Sequence, residues 1–169
     1  MPGEASRDRR LDRCVAPALS QTALTEPPVS PATRRTMQAN RGRDTGPEVA
    51  LRSLLHRAGL RFRVDLELPF DRRRRADIVF TRAGLYVFVD GCFWHGCPDH
   101  FVMPKTREAF WRDKIEGNRA RDADSAARLR TLGFDVVRIW EHVPPQDAAE
   151  IVLARYAQRV ADKGLPSRL

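Results

Sequence analysis

Five bulky apolar residues in a row, Leu85-Tyr-Val-Phe-Val89, constrain this chain more than any other feature. The run is too short for a core helix and has no polar face. It therefore reads as a strand covered on both sides, which needs packed layers above and below it. Residues 76–80, Ala-Asp-Ile-Val-Phe, form a second apolar strand upstream, and Arg82-Ala-Gly84 is a tight turn between the two. Residues 60–66 alternate apolar and charged side chains and predict another strand, as do residues 134–140. Thr45-Gly-Pro-Glu48 opens a helix: a capping residue, a proline in the first turn and an acid where a capping box wants one. Leu51, Leu54, Leu55 and Ala58 follow at helical spacing, and Gly59 ends the run. Residues 106–132 are helical by composition, with a break or bend expected near Gly117, and residues 146–161 form a last amphipathic helix. The order helix, three strands, helix, strand, helix predicts an α/β domain with a central mixed β-sheet flanked by helices.

Composition removes several classes. No apolar run in the 169 residues approaches the ~18–20 of a membrane span. The first residues lack the apolar core of a secretory signal. Three cysteines are too few for a disulfide framework. The expectation is a soluble cytoplasmic protein. The net charge is +8, carried by 27 Arg and only 3 Lys, and it suits a polyanionic partner. Residues 1–30 hold four Arg, four acids and Pro2, Pro17, Pro27 and Pro28, so they are neutral. Residues 1–32 read as a disordered extension. Arg34, Arg35, Arg41 and Arg43 stand in a stretch, 30–43, without an acid. Residues 33–46 thus read either as a basic arm that tracks a phosphate backbone or as a solvated linker. Residues 47–162 form the folded domain and 163–169 a tail.

Cys92, His95, Cys97 and His100 fall within nine residues directly after the apolar strand. In a reducing compartment such a cluster indicates a metal site rather than a disulfide. Zinc takes four N or S ligands in a tetrahedron. Cys92, Cys97 and His100 supply three, and the fourth is either His95 or a residue distant in sequence, such as His142 at the end of the last strand. Two buried thiols with unrelated histidines are the plainer alternative. His56 reads as a helix-surface residue, and Cys14 as idle.

Asp77 follows four consecutive arginines, Arg72–Arg75, and Asp90 ends the apolar strand. If the two strands form an antiparallel hairpin, both acids lie at its open end, and Glu48 could face that end too. Acids converging beside a basic run suit Mg²⁺-assisted phosphate chemistry. Taken singly, each has an ordinary reading: Glu48 as a helix cap, Asp77 as a partner of the arginines and Asp90 as a turn residue.

These strings resemble the very-short-patch repair (Vsr-type) mismatch endonucleases, a branch of the PD-(D/E)XK nuclease-like fold. The resemblance rests on Arg43-Asp-Thr-x-x-Glu48, Arg75-Ala-Asp77-Ile-Val-Phe and Val87-Phe-Val-Asp-Gly-Cys-Phe-Trp-His95. It continues through Phe110-Trp111-x-x-Lys114-Ile-x-x-Asn118-x-x-Arg121-Asp122, Leu132-Gly-Phe134 and Ile139-Trp-Glu-His142. It implies Mg²⁺-dependent nicking of one strand of double-stranded DNA beside a T·G mismatch, the product of 5-methylcytosine deamination. It also implies that Asp77 binds Mg²⁺, that Val89 offers it a backbone carbonyl and that Glu48 reaches it through water. His95 is implied as the catalytic histidine, acting on water as general base or positioning it. Cys92, Cys97, His100 and His142 are implied as the structural Zn²⁺ set, with Asp99 as a spare ligand. Phe93, Trp94 and Trp111 are implied as wedges at the mismatch. Asn118 and Arg121 are implied on the DNA face, and Arg74 and Arg75 are expected to grip the backbone beside the arm.

Two positions depart from the best-known pattern of these enzymes. Val89 and Asp90 stand where that pattern has a threonine and a histidine, so a second phosphate-stabilising histidine is missing. Asp90 is then either a further catalytic or metal-binding acid or only a turn residue. His142 stands where the pattern has a cysteine. The resemblance further implies functional links to a cytosine methyltransferase and to mismatch-repair proteins, a monomer, and a bacterial, nucleoid-associated setting. The rival expectations are a less selective PD-(D/E)XK nuclease and a non-catalytic, zinc-stabilised DNA-binding module.

Overall fold

The computed structural model describes residues 43–165. In chain order these form α1 (Gly46–Arg57), β1 (Arg63–Leu68), β2 (Asp71–Phe80), β3 (Leu85–Asp90), α2 (Glu108–Thr131), β4 (Asp135–Trp140) and α3 (Pro145–Asp162). The strands make one mixed sheet in the order β1-β2-β3-β4, with β3 and β4 parallel and the other pairs antiparallel. Leu51 and Leu55 of α1 and Ala148, Ala149 and Val152 of α3 pack on one face with Ile78, Phe80, Leu85 and Val87. Ala126 and Leu129 of α2 pack on the other, with Val79, Tyr86, Phe88 and Val136. The apolar run of β3 is therefore covered on both faces, as its composition requires. No helix among the described residues is long and apolar enough to cross a membrane.

Each helix ends in the same device. Leu60, Phe134 and Leu165 donate their N–H to the carbonyls of Leu55, Leu129 and Val160, across Gly59, Gly133 and Gly164 at φ between 59° and 81°. This is the Schellman motif, whose flanking apolar residues touch. It explains one correction. Leu60 caps α1, so the first strand is Arg63–Leu68 and not 60–66. Phe134 likewise caps α2, and β4 begins one residue later.

A second correction concerns α2, which runs unbroken through the exposed Gly117. A single glycine costs a helix interior only ~1 kcal/mol relative to alanine. The inward face stays in phase across it: Trp111, Ile115, Asn118, Asp122, Ser125–Ala126 and Leu129 are the buried or half-buried positions. Three of these are polar and lie in the middle of the stripe. A third correction is that the strand expected over residues 76–80 begins at Asp71 and so includes Arg72–Arg75.

The sheet opens at Asp77. The β2–β3 ladder runs from Phe80–Leu85 to Ile78–Val87 and stops. Beyond it the Asp77 carboxylate accepts the Val89 N–H at 2.7 Å, a group the ladder would otherwise occupy. In β1, Asp65 between Val64 and Leu66 takes φ 51°, so both strands are irregular at this level.

Candidate active site and metal centre

The opened end of the hairpin forms the floor of a cleft. Glu48, Asp77, Val89, Asp90, Trp94, His95, Asp122 and Arg138 line it, with Arg73, Lys114 and Arg121 among its other lining residues. The antiparallel pairing places Asp77 and Asp90 at the end away from the turn. Glu48 comes from the first turn of α1 and is buried. Its carboxylate accepts the Thr45 hydroxyl at 2.8 Å and the Asp44 N–H at 3.0 Å, so it pins the segment entering the helix and lines the cleft at once, while no side chain caps a helix N–H here. Burial pushes the Asp77 carboxyl up to about 6, and the Glu48 and Asp90 charges add to this against the Val89 N–H. A divalent cation would relieve that crowding, so the donor set fits Mg²⁺.

His95 donates or accepts through Nδ1 at 2.6 Å from Asp122, and the same nitrogen lies 3.8 Å from Asp90. Nε2 has no protein partner among the described residues. Burial pulls the His95 pKa down, but the Asp122 hydrogen bond and the Asp90 and Asp122 charges outweigh it, and the net shift is upward. Arg138 holds Asp90 with Nε at 2.7 Å and with a second, short contact from Nη2, and Nη2 also lies 3.1 Å from Asp122. Asp90 is thus a buried acid clasped by an arginine, not an exposed turn residue. Sequence reasoning missed Asp122 and Arg138 as site residues. Their signal was available only in part: a polar residue inside the buried stripe of α2, and a charge interrupting the apolar residues 136–140 of β4.

The loop between β3 and α2 gathers the second cluster. One ligand atom each from Cys92, Cys97, His100 and His142 lies within 4.8 Å of the others. Cys92 Sγ is 3.1 Å from His142 Nδ1, and Cys97 Sγ is 3.7 Å from Nδ1 of both His142 and His100. Zinc ligands at ~2.0–2.3 Å in a tetrahedron stand about 3.5 Å apart, so the set fits Zn²⁺. Of the two candidates for the fourth position, His142 is brought in and His95 points to Asp122 instead. Asp99 is exposed and outside the set.

The loop is braced from α2 and from the residue that follows β4. Asn118 donates to the Trp94 carbonyl at 2.6 Å, Arg119 to those of His95 and Gly96, and Cys92 N–H to Glu141 at 2.6 Å. Gly96, at φ 63°, sits where a Cβ would lie 2.7 Å from Arg119 and 2.8 Å from Ile115. Phe93, Trp94 and Trp111 form one aromatic group, with centroids 5.1–6.1 Å apart. Trp111 is buried beneath it, while Phe93 and Trp94 are half-exposed.

The arginines are more committed than their run suggests. Arg74 pairs with Asp71 and Asp124, and Arg75 with Asp65 and Glu67. Arg43 pairs with Asp44 and Asp65. Arg73 makes no ion pair among the described residues. Arg34, Arg35 and Arg41 lie outside the described residues, as do Cys14 and the 1–32 extension. His56 is exposed and stacks 4.4 Å from Phe62.

The family model for the DNA mismatch endonuclease Vsr matches residues 29–100. A type II nicking enzyme, V.NaeI of Lentzea aerocolonigenes, is 43% identical over 147 residues, covering 85% of this chain and 89% of that one. The DNA mismatch endonuclease Vsr of Escherichia coli K12 is 38% identical over 141 residues, covering 82% and 81%. V.XorIIP of Xanthomonas oryzae is 44% identical over 115 residues, covering 67% and 82%. The chain belongs to the Vsr family of DNA mismatch endonucleases.

Proposed function

We propose that this protein nicks one strand of duplex DNA beside a T·G mismatch by Mg²⁺-dependent phosphodiester hydrolysis. The observation that carries the reading is the meeting, in one cleft, of the crowded acids Glu48 and Asp77 with a histidine oriented by Asp122. Relatives named as nicking enzymes and as a mismatch endonuclease support both the reaction and the substrate.

Asp77 and the Val89 carbonyl would hold Mg²⁺, with Glu48 reaching it through water. When bound, Mg²⁺ neutralises charge on the phosphate. Asp122 fixes the His95 tautomer: with Nδ1–H donated to the carboxylate, the neutral ring carries its lone pair on Nε2. That nitrogen can take a proton from the attacking water or hold the water in line. As the water oxygen bonds to phosphorus, the bond to the leaving sugar oxygen breaks. Phe93 and Trp94 insert at the mismatch, where a weak pair lowers the cost of unstacking. Zn²⁺ on Cys92, Cys97, His100 and His142 holds the loop that presents both His95 and the aromatics.

As part of the same reading, the enzyme is a bacterial cytoplasmic monomer that acts on damage left by a cytosine methyltransferase and hands the nick to mismatch-repair proteins. The test is cleavage of a T·G duplex and its matched counterpart with Mg²⁺. The expected result is nicking of the first only. Equal cleavage of both would favour a less selective nuclease, and binding without cleavage a DNA-binding module.

A further inference from the structure

We propose that Arg138 is a catalytic residue: its guanidinium contacts the phosphate being cut. The proposal rests on the reading above for the substrate, but its argument is geometric. Arg138 stands on β4 within the cleft that holds Asp77 and His95. Nε and one N–H of Nη2 are taken by Asp90, and the other N–H of Nη2 faces Asp122 at 3.1 Å. The guanidinium also lies 5.0 Å from the centre of the Phe88 ring. Two of its five N–H groups are thereby held by Asp90, and an ion pair ties Nη2 to Asp122. The two on Nη1 have no partner among the described residues, and a quarter of the side chain, 25%, remains exposed.

An arginine serving only to neutralise Asp90 would be complete with the two-pronged contact. This one is also tied to the acid that orients His95, so its free edge is held in register with the histidine. The need for such a cation is electrostatic. Glu48, Asp77, Asp90 and Asp122 all line the cleft, and although Arg73, Lys114 and Arg121 line it too, Arg138 is the cation paired with two of these acids. A preorganised guanidinium among them offers two donors to a non-bridging oxygen, where charge grows as hydrolysis proceeds. Asp90, which stands where a histidine is expected, then acts as a positioning residue for Arg138.

The test compares wild type with Arg138→Gln and Arg138→Lys in single-turnover nicking of the T·G duplex, with zinc content and thermal unfolding measured alongside. Loss of one such donor group costs roughly 10²–10³-fold in rate. Arg138→Gln should fall by that factor while duplex affinity changes by only a few-fold, and Arg138→Lys should recover part of the rate. One phosphorothioate stereoisomer at the scissile position should slow wild type strongly and Arg138→Lys less, because lysine does not reproduce the two-donor edge. The same substitution should have little further effect on Arg138→Gln, because the contact is already gone. A Gln variant within about tenfold of wild type, or one that is slow with its phosphorothioate effect intact, overturns the proposal. If Arg138→Gln does not fold, a phosphorothioate effect that is unchanged between wild type and Arg138→Lys overturns it. The wild-type rate on T·G against matched DNA reports on the substrate reading separately.

Discussion

Replacing Asp77 by asparagine should make the Mg²⁺-free protein more stable at neutral pH while abolishing cleavage. The Asp77 carboxyl sits at about 6 in the fold against an ordinary 3.8, chiefly through burial and then through the Glu48 and Asp90 charges. The folded value is above the unfolded one. Whatever stability the protonated acid contributes is therefore fully present below pH 3.8 and is lost as pH rises through about 6. Each pH unit between the two values corresponds to about 1.4 kcal/mol, which gives a ceiling of about 3 kcal/mol at pH 7.5. Asparagine keeps a carbonyl oxygen for the Val89 N–H and cannot ionise, so it escapes the loss. Urea denaturation of zinc-loaded, Mg²⁺-free protein at pH 4.5, 6 and 7.5 measures the difference. The variant's advantage should be smallest at pH 4.5, grow by about 1.4 kcal/mol per pH unit up to about pH 6, and level off near 3 kcal/mol by pH 7.5. Added Mg²⁺ should raise the midpoint of wild type and leave the variant unmoved. A variant no more stable than wild type at pH 7.5, with no trend in pH, would show that Asp77 ionises without penalty and refute the crowded-acid account of the metal pocket.

Three further outcomes follow from the same geometry. Asp122→Asn removes the carboxylate charge that, directly and through its hydrogen bond, raises the His95 pKa, so burial then dominates. The rate should drop ~10²–10⁴-fold, and the acidic limb of its pH–rate profile should move to lower pH, because His95 becomes neutral earlier. Metal analysis should find one tightly held zinc per chain, and its chelation should unfold the domain cooperatively in circular dichroism, since structural zinc sites contribute folding free energy directly. Gly96→Ala forces a Cβ against Arg119 and Ile115 at a positive φ, and should lower stability by roughly 1–3 kcal/mol, read as a shift in urea midpoint.

The legible part of this chain was the local part. The apolar run of β3, the turn at residues 81–84 and the Cys/His loop are each contained in a few consecutive residues, so their types and spacing were enough. The hairpin then put Asp77 and Asp90 at one end by arithmetic alone. What stayed hidden depends on contacts between distant segments. Asp122 reaches His95 across 27 positions and Arg138 reaches Asp90 across 48. No window of sequence contains either pair. The helix was expected to break near Gly117 and does not; its buried stripe is polar at Asn118, Asp122 and Ser125, and those residues line the site. The misplaced first strand has a different cause. Leu60 alternates in phase with Phe62 and Val64, yet the Schellman cap of α1 claims it first. The arginine run was legible as charge but not as structure, since Asp65, Glu67 and Asp124 engage Arg74 and Arg75 before any DNA arrives.

The most direct measurement of the central claim is single-turnover nicking of a T·G duplex by zinc-loaded protein, with and without Mg²⁺. Wild type, Asp77→Ala and His95→Ala should be compared at saturating protein, with duplex binding measured in parallel. The account predicts one nick, in one strand, only with Mg²⁺ and only at the mismatch, and a loss of more than about 100-fold in either variant with binding retained. Failure of folded wild-type protein to cut any mismatched duplex, or variants within about tenfold of its rate, would contradict it.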